Sequence, residues 1–275
     1  MAGISGFLRL RAETTPEGRT VLREQAFRAP FHLSKPYWDP DARALLVQVV
    51  NPTAGILDGD ELSSDISVGP EAALVVTTPS ATRVFQMREG GAGSRQTFAV
   101  ASRGWLEVMP EPLVPHRGSR FRQTTTIDAA ADASVCYVDQ LMPGRLGHGE
   151  AWSWDTLQLE MTVRVDGELV LRERLDQGGT GLRALAEAGG SGTNACFANL
   201  VLISPESAGP DPDLFRQLHS LQDESFLIGV SPLHRQGWSI KCVARDPIRL
   251  RDALRSTRAL LARRFQRLSL DLRKL

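Results

Sequence analysis

Carboxylates are the side chains of this chain whose types and placement can do chemistry. Asp58 and Asp60 flank Gly59 at the end of Asn51-Pro52-Thr53-Ala54-Gly55-Ile56-Leu57-Asp58-Gly59-Asp60. Such a loop can hold a cation between two acids. It can equally just reverse the chain, since Asn-Pro and Asp-Gly are both turn formers, and acids in turns mostly cap local N–H groups. Glu107 stands out because it interrupts the apolar run Trp105-Leu106-Glu107-Val108-Met109. Buried there, it needs a cation, and Arg83 or Arg145 is a candidate. His148, between two glycines, reads as an exposed lone histidine rather than a ligand, and His116 reads the same way. Cys136, Cys196 and Cys242 are odd in number, widely spaced and without a CxxC. That excludes a disulfide framework and a zinc ribbon and makes them small core residues.

The elements that must position these groups are mostly strands. Leu45–Val50, Ala73–Thr78, Gln96–Val100, Trp105–Met109 and Gln158–Val165 are short, largely apolar and punctuated by Gly, Pro, Asp or Asn. Gln158–Val165 alternates polar and apolar residues and meets Asp166-Gly167, a hairpin signal, with Glu168–Glu173 as its partner strand. Gly178-Gly179-Thr180-Gly181 and Gly189-Gly190-Ser191-Gly192 lack the lysine of a phosphate-binding loop. They read as flexible surface loops around one or two helical turns at Leu182–Ala188. Strands resume at Cys196–Ser204, Phe226–Val230 and Trp238–Val243, with a helix over Asp211–Gln222. A last helix starts at Asp246-Pro247, an N-cap and first-turn pair. Its apolar stripe is Leu250, Leu254, Thr257, Leu261, Phe265, Leu268 and Leu272, with arginines opposite. Neither an internal repeat nor a linker divides residues 1–275, so a single domain is expected.

Composition removes several classes. Basic and acidic residues are 32 each among 275, which argues against a nucleic-acid or membrane partner. The balance hides a gradient, because ten basic and three acidic residues fall between Arg245 and Leu275. The outer arginines of a helix are usually solvated. Here they can also pair with Asp252 or with acids of the body, and the helix is expected to pack on the β structure. Signal-peptide and membrane-spanning patterns are not seen, so a cytoplasmic location is the expectation.

Four segments taken in order carry a resemblance. Asn51–Asp60 is followed by Thr77-Thr78-Pro79-Ser80-Ala81-Thr82-Arg83-Val84, by Leu106-Glu107-Val108-Met109-Pro110-Glu111-Pro112 and by Asp139-Gln140-Leu141-Met142-Pro143-Gly144-Arg145-Leu146-Gly147-His148-Gly149-Glu150. Their order and spacing resemble the UreD (UreH) family of urease accessory proteins, most strongly over residues 28–175. Pro79 stands where that family usually has glutamine, and Arg83 where it has lysine. Pro79 removes an amide and an N–H, while Arg83 replaces a point charge with a planar fork.

The resemblance implies a mostly β fold, a helically wound two-layer β-structure with a few α-helices including a C-terminal one. It implies no catalytic residues and no tightly bound cofactor. It implies a scaffold that binds UreF, recruits the GTPase UreG through UreF, docks on urease apoprotein and helps deliver nickel through an internal passage. By position in the matched motifs, Asp60, Ser80, Asp139 and Glu150 belong along such a passage, with Glu173 and Glu107 as additions. Asn51, Pro52, Gly55, Gly59, Thr77, Thr78, Gly144 and Arg145 shape the motifs. Oxygen ligands suit a passing ion, which thiolates would trap. The alternative is a β-helical carbohydrate-active enzyme using paired carboxylates, against which stands an aromatic content of only 6%.

Overall fold

The structure, a computed structural model, describes residues 3–188 and 192–272. Residues 189–191 of the second glycine-rich stretch lie outside the described residues. In chain order the first strands are β1 (Ser5–Thr14), β2 (Thr20–Arg28), β3 (His32–Leu33), β4 (Tyr37–Asp39), β5 (Ala44–Val50), β6 (Glu61–Val68), β7 (Ala73–Thr77), β8 (Thr82–Val84) and β9 (Ala92–Val100). There follow β10 (Trp105–Met109), β11 (Leu113–Pro115), β12 (Arg120–Ala129), β13 (Ser134–Leu141), β14 (Thr156–Val165), β15 (Glu168–Gln177), β16 (Cys196–Ile203), β17 (Phe226–Pro232) and β18 (Trp238–Ala244). The helices are α1 (Gly179–Ala188), α2 (Pro212–His219) and α3 (Pro247–Ala262).

From β5 to β14 the long strands alternate between two sheets. β5, β7, β10 and β13 run parallel in an 11-stranded sheet, and β6, β9, β12 and β14 run parallel in a 7-stranded one. Each turn of chain lays one strand in each sheet, which is the helically wound, two-layer β-structure expected. β1 extends the smaller sheet beside β6 in parallel, and the antiparallel partners β2 and β15 close its two edges. Asp166 and Gly167 turn β14 into β15 with φ of +53° and +78°, as a tight hairpin requires. In the larger sheet β16, β18 and β17 continue antiparallel from β13.

Side chains alternate across each strand, so each strand of the larger sheet serves two cores. In β10, Leu106 and Val108 face the space between the sheets with Leu10, Ile66, Phe98, Ile127 and Val163. Trp105 and Met109 face the other way, onto an apolar layer shared with α2 and α3. Asp246 caps α3 by accepting from the Arg249 N–H at 2.9 Å. Leu250, Ala253, Leu254, Thr257 and Leu261 form the buried face of α3.

Two sequence expectations need correction. The last helix stops at Ala262 rather than running to Leu272. Phe265 and Leu268 stay buried because a short 3₁₀ turn at Gln266–Ser269 keeps a three-residue spacing. The helical turns expected at Leu182–Ala188 are present, but the helix begins already at Gly179, inside the glycine-rich stretch expected to be a flexible loop. Gly179 packs so closely on Trp152 that a Cβ would meet the Trp152 carbonyl oxygen at 2.1 Å. The arginines of the C-terminal segment pair with Asp252 and with acids of the body, as the sequence allowed: Arg255 with Asp252 at 3.9 Å, Arg249 with Asp223 at 2.7 Å and Arg264 with Asp211.

Glu107 is fully buried and pairs with Arg258 of α3, Oε1 at 2.7 Å from Nε and Oε2 at 3.0 Å from Nη2. The cation is therefore neither Arg83 nor Arg145. Removing one partner of such a pair leaves a charge uncompensated in an apolar layer. Arg258→Ala is therefore expected to lower stability in urea unfolding by about 3–5 kcal/mol, and the double variant Glu107→Leu/Arg258→Met to recover most of that loss. Truncation before Asp246 should abolish cooperative unfolding, since it uncovers the whole apolar outer layer; circular dichroism on heating checks this.

Candidate functional site: a cavity between the sheets

Parallel winding brings the C-terminal ends of β5, β7, β10 and β13 to one rim of the molecule. The four sequence motifs leave from, or end in, those four strands, so residues spread over 100 positions of sequence become neighbours. Short strands bind the loops together. Ile56 bridges Val84, β8 pairs with β11, and β11 with β13. Side chains add further ties. The Thr77 hydroxyl donates to the Met109 carbonyl at 2.7 Å, Thr78 Oγ1 accepts from the Glu111 N–H at 2.7 Å, and Gln140 Nε2 donates to the Pro110 carbonyl at 2.8 Å. Asn51 Oδ1 accepts from the Thr53 N–H at 2.9 Å, turning the chain before Pro52 can extend it. Gly55, at φ +146°, passes so near Arg83 that a Cβ would lie 2.4 Å from its carbonyl oxygen.

Beneath this rim the two sheets enclose a cavity of about 910 Å³. It separates the apolar core between the sheets from a second apolar cluster under the rim, built on Ile56, Leu62, Val84, Phe121, Leu141 and Trp152. The polar part of the wall comes from inward positions of both sheets: Ser64, Ser94, Gln96, Gln123 and Glu173 on one side, Asp139, Asn199 and Lys241 on the other. Thr78, Ser80, Arg83 and Glu111 stand at the rim end.

Two carboxylates anchor the polar wall. Asp139 Oδ1 accepts from the Tyr137 hydroxyl at 2.9 Å and from Gln123 Nε2 at 3.3 Å. Burial pushes the Asp139 carboxyl up to about 6. The Tyr137 and Gln123 hydrogen bonds oppose that rise, and the charge of Glu173 adds to it. Glu173, on the edge strand β15, accepts from Asn199 Nδ2 at 2.5 Å and from Lys241 Nζ at 2.6 Å.

The structure brings together only part of the set proposed from sequence. Asp139, Glu173 and Ser80 line the cavity. Asp60 does not; it is buried under the rim, where one oxygen accepts from the Ile4 N–H at 2.9 Å and the other from the Leu57 N–H at 2.8 Å. It pins the start of β1 to its own loop, across Gly59 at φ +83°. Asp58 caps the Arg88 N–H of another loop at 3.0 Å. Glu150 holds the Arg145 guanidinium with both oxygens, at 2.6 and 2.9 Å, closing the loop begun by Gly144 at φ +119°. That pairing keeps the Glu150 carboxyl below its ordinary range. Glu107 points to the opposite face of the larger sheet, because strand alternation puts it with Trp105 and Met109 rather than with Val108.

His148 is exposed, but His116 is buried against Phe85 with Nε2 unpartnered, correcting the reading of it as an exposed residue. Burial first and the Arg145 charge second hold its pKa down. Sequence reasoning missed Gln96, Gln123, Asn199 and Lys241. The available signal was a polar side chain at an inward position of an alternating strand, such as Gln123 between Phe121 and Thr125. Among the described residues no group of three or more His, Cys, Asp or Glu is arranged to hold a metal ion.

The sequence matches the family described as UreD urease accessory protein over residues 5–273. It is 55% identical over 271 residues to the urease accessory protein UreD of Opitutus terrae, covering 98% of this chain and 99% of that one. It is 33% identical over 211 residues to UreD 2 of Brucella ovis, covering 74% and 69% of the two chains. With UreD of Yersinia pseudotuberculosis it shares 34% over 210 residues, covering 74% and 64%. All three are named as accessory proteins.

The raised Asp139 pKa sets the sign of a pH effect. The folded state binds this proton more tightly than the unfolded chain does, so the stabilisation is fully present below the ordinary carboxylate pKa and is lost as pH rises through about 6. Asp139→Asn should therefore gain stability relative to the parent above pH 6, on the order of 2–3 kcal/mol, and little below pH 4. Urea unfolding at pH 4, 6 and 8 measures this, and a constant difference across that range would contradict it.

Proposed function

The chain belongs to the UreD family of urease accessory proteins, and from that premise we propose that it is a cytoplasmic maturation scaffold that passes nickel toward apo-urease. In this reading it binds UreF, holds the GTPase UreG through UreF, and docks on the urease apoprotein. It is an accessory protein, not an enzyme. Nucleic acid and membrane have no part in the reading, and among the described residues no helix is long and apolar enough to cross a bilayer.

The observation that carries the proposal is the cavity between the sheets, whose largely apolar wall holds the carboxylates of Asp139 and Glu173. An ion in transit needs oxygen donors that replace part of its hydration shell without capturing it. Two carboxylates, the Asn199 amide and the Ser80 hydroxyl supply such donors; of the thiols, which would hold nickel too firmly, Cys136 and Cys196 are buried away from the lining, and Cys242, which is part of it, is buried as well. Nickel is cargo here, not a resident cofactor. Asp139 carries its charge above pH 6 and loses it below, so delivery through this wall weakens in acid. Ser80, Asp139 and Glu173 form the passage, while Asp60, Glu107 and Glu150 hold the fold that encloses it.

Asp139→Leu and Glu173→Leu should leave the complex with UreF and UreG intact in co-purification. The nickel content and activity of co-expressed urease should fall several-fold. Full urease activation in both variants would refute the passage. Asp60→Leu should instead reduce the yield of folded protein, because two N–H groups lose their acceptor.

A further inference from the structure

Lys241 is a cation standing where a cation is supposed to pass. Its Nζ lies 2.6 Å from Glu173 Oε1 and 3.5 Å from Asn199 Oδ1. Lys241 pairs with Asn199 across β18 and β16, and Asn199 with Asp139 across β16 and β13. The three side chains thus form one row across adjacent strands, about 10 Å from end to end. Glu173 approaches that row from β15, the edge strand of the opposite sheet. The Lys241 side chain is 60% exposed and that of Glu173 21%. The ammonium therefore sits at the open side of the cavity, on a stem free to swing into solvent.

We propose that Lys241 is a displaceable counter-cation that occupies Glu173 at rest and yields to a divalent ion. This rests on the passage reading above. With Lys241 in place, Asp139, Glu173 and Lys241 supply two carboxylates and one ammonium, and a divalent ion beside them meets a net charge of −1 from these three. With Lys241 swung out, Glu173, Asp139 and the Asn199 amide face the ion together. Lysine suits this task because its charge is a point on a flexible stem. An arginine fork would bind the carboxylate bidentately and leave it less readily. The exchange keeps Glu173 neutralised at every stage and lowers the affinity of the resting wall, so the ion is not trapped.

The test is equilibrium dialysis of the full chain against Ni²⁺ at pH 7.5 and low ionic strength, with folding checked by circular dichroism. Lys241→Met should bind nickel about tenfold more tightly than the parent, because the ion no longer has to displace an ammonium from contact with Glu173, an attraction worth about that much even at the dielectric of water. Lys241→Met/Glu173→Gln should return to parental affinity or weaker. Lys241→Gln is measured beside them and should behave as the methionine variant does, so that one unfolded variant does not decide the matter. Binding by both Lys241 variants no tighter than the parent's, including no measurable binding by any of them, overturns the proposal. So does a gain that survives Glu173→Gln. Failure of the passage itself shows elsewhere, as full urease activation by Asp139→Leu alongside an intact dialysis result.

Discussion

Each turn of the chain must place one strand in each of two parallel sheets, and the remaining features of the molecule follow from that register. Parallel strands cannot be joined by tight turns, so every turn needs a connection at each rim. Those leaving β5, β7, β10 and β13 all emerge at the same one. Residues 51–60, 77–84, 106–112 and 139–150 are distant in sequence and packed together in space for this reason alone. The same register aligns inward-facing side chains in rows across strands, as in Asp139–Asn199–Lys241. Where a polar row in one sheet faces polar residues of the other, a cavity replaces the closed core.

Two acids, Glu107 and Asp139, show how differently the two faces of one sheet treat a charge. Glu107 lies in a dry layer and survives there because Arg258 offers both a charge and a bidentate fork. That pair joins the C-terminal helix to the centre of the sheet, and its role is structural. Asp139 lies on the cavity face, held by a phenol and an amide rather than by a cation. Those hydrogen bonds only partly offset the burial that pushes its carboxyl up to about 6.

The space itself carries a cost. A cavity of about 910 Å³ forfeits dispersion contacts that a filled core would make. The rim cluster around Ile56, Phe121 and Trp152 is separate from the inner core and packs on the other side of the cavity. Rigid loops support that cluster. Asp60, Glu150 and the glycines at 55, 59 and 144 spend their chemistry on shaping the rim. The basic C-terminal segment secures the opposite side, with Arg249, Arg258 and Arg264 each holding an acid of the body.

By itself the sequence determined the strand content, the hairpin at Asp166-Gly167, the N-cap at Asp246 and the family through four ordered motifs. Those are local properties, written in alternation, turn chemistry and capping, or in spacing that a family shares. Strand bounds followed at Trp105–Met109, but β9 and β15 run further than their apolar segments, from Ala92 and to Gln177. Only the tertiary structure decided which acids face the cavity. Asp60, Glu107 and Asp139 look equally suited in sequence. Their fates depend on which face a strand turns inward and on partners as far away as Arg258, 151 residues on from Glu107. Lys241 was invisible for the same reason, since its meaning comes from Glu173 on a strand of the other sheet. The helix that stops at Ala262 was likewise decided by packing, because a spacing of three satisfies a 3₁₀ turn as well as an α-helix.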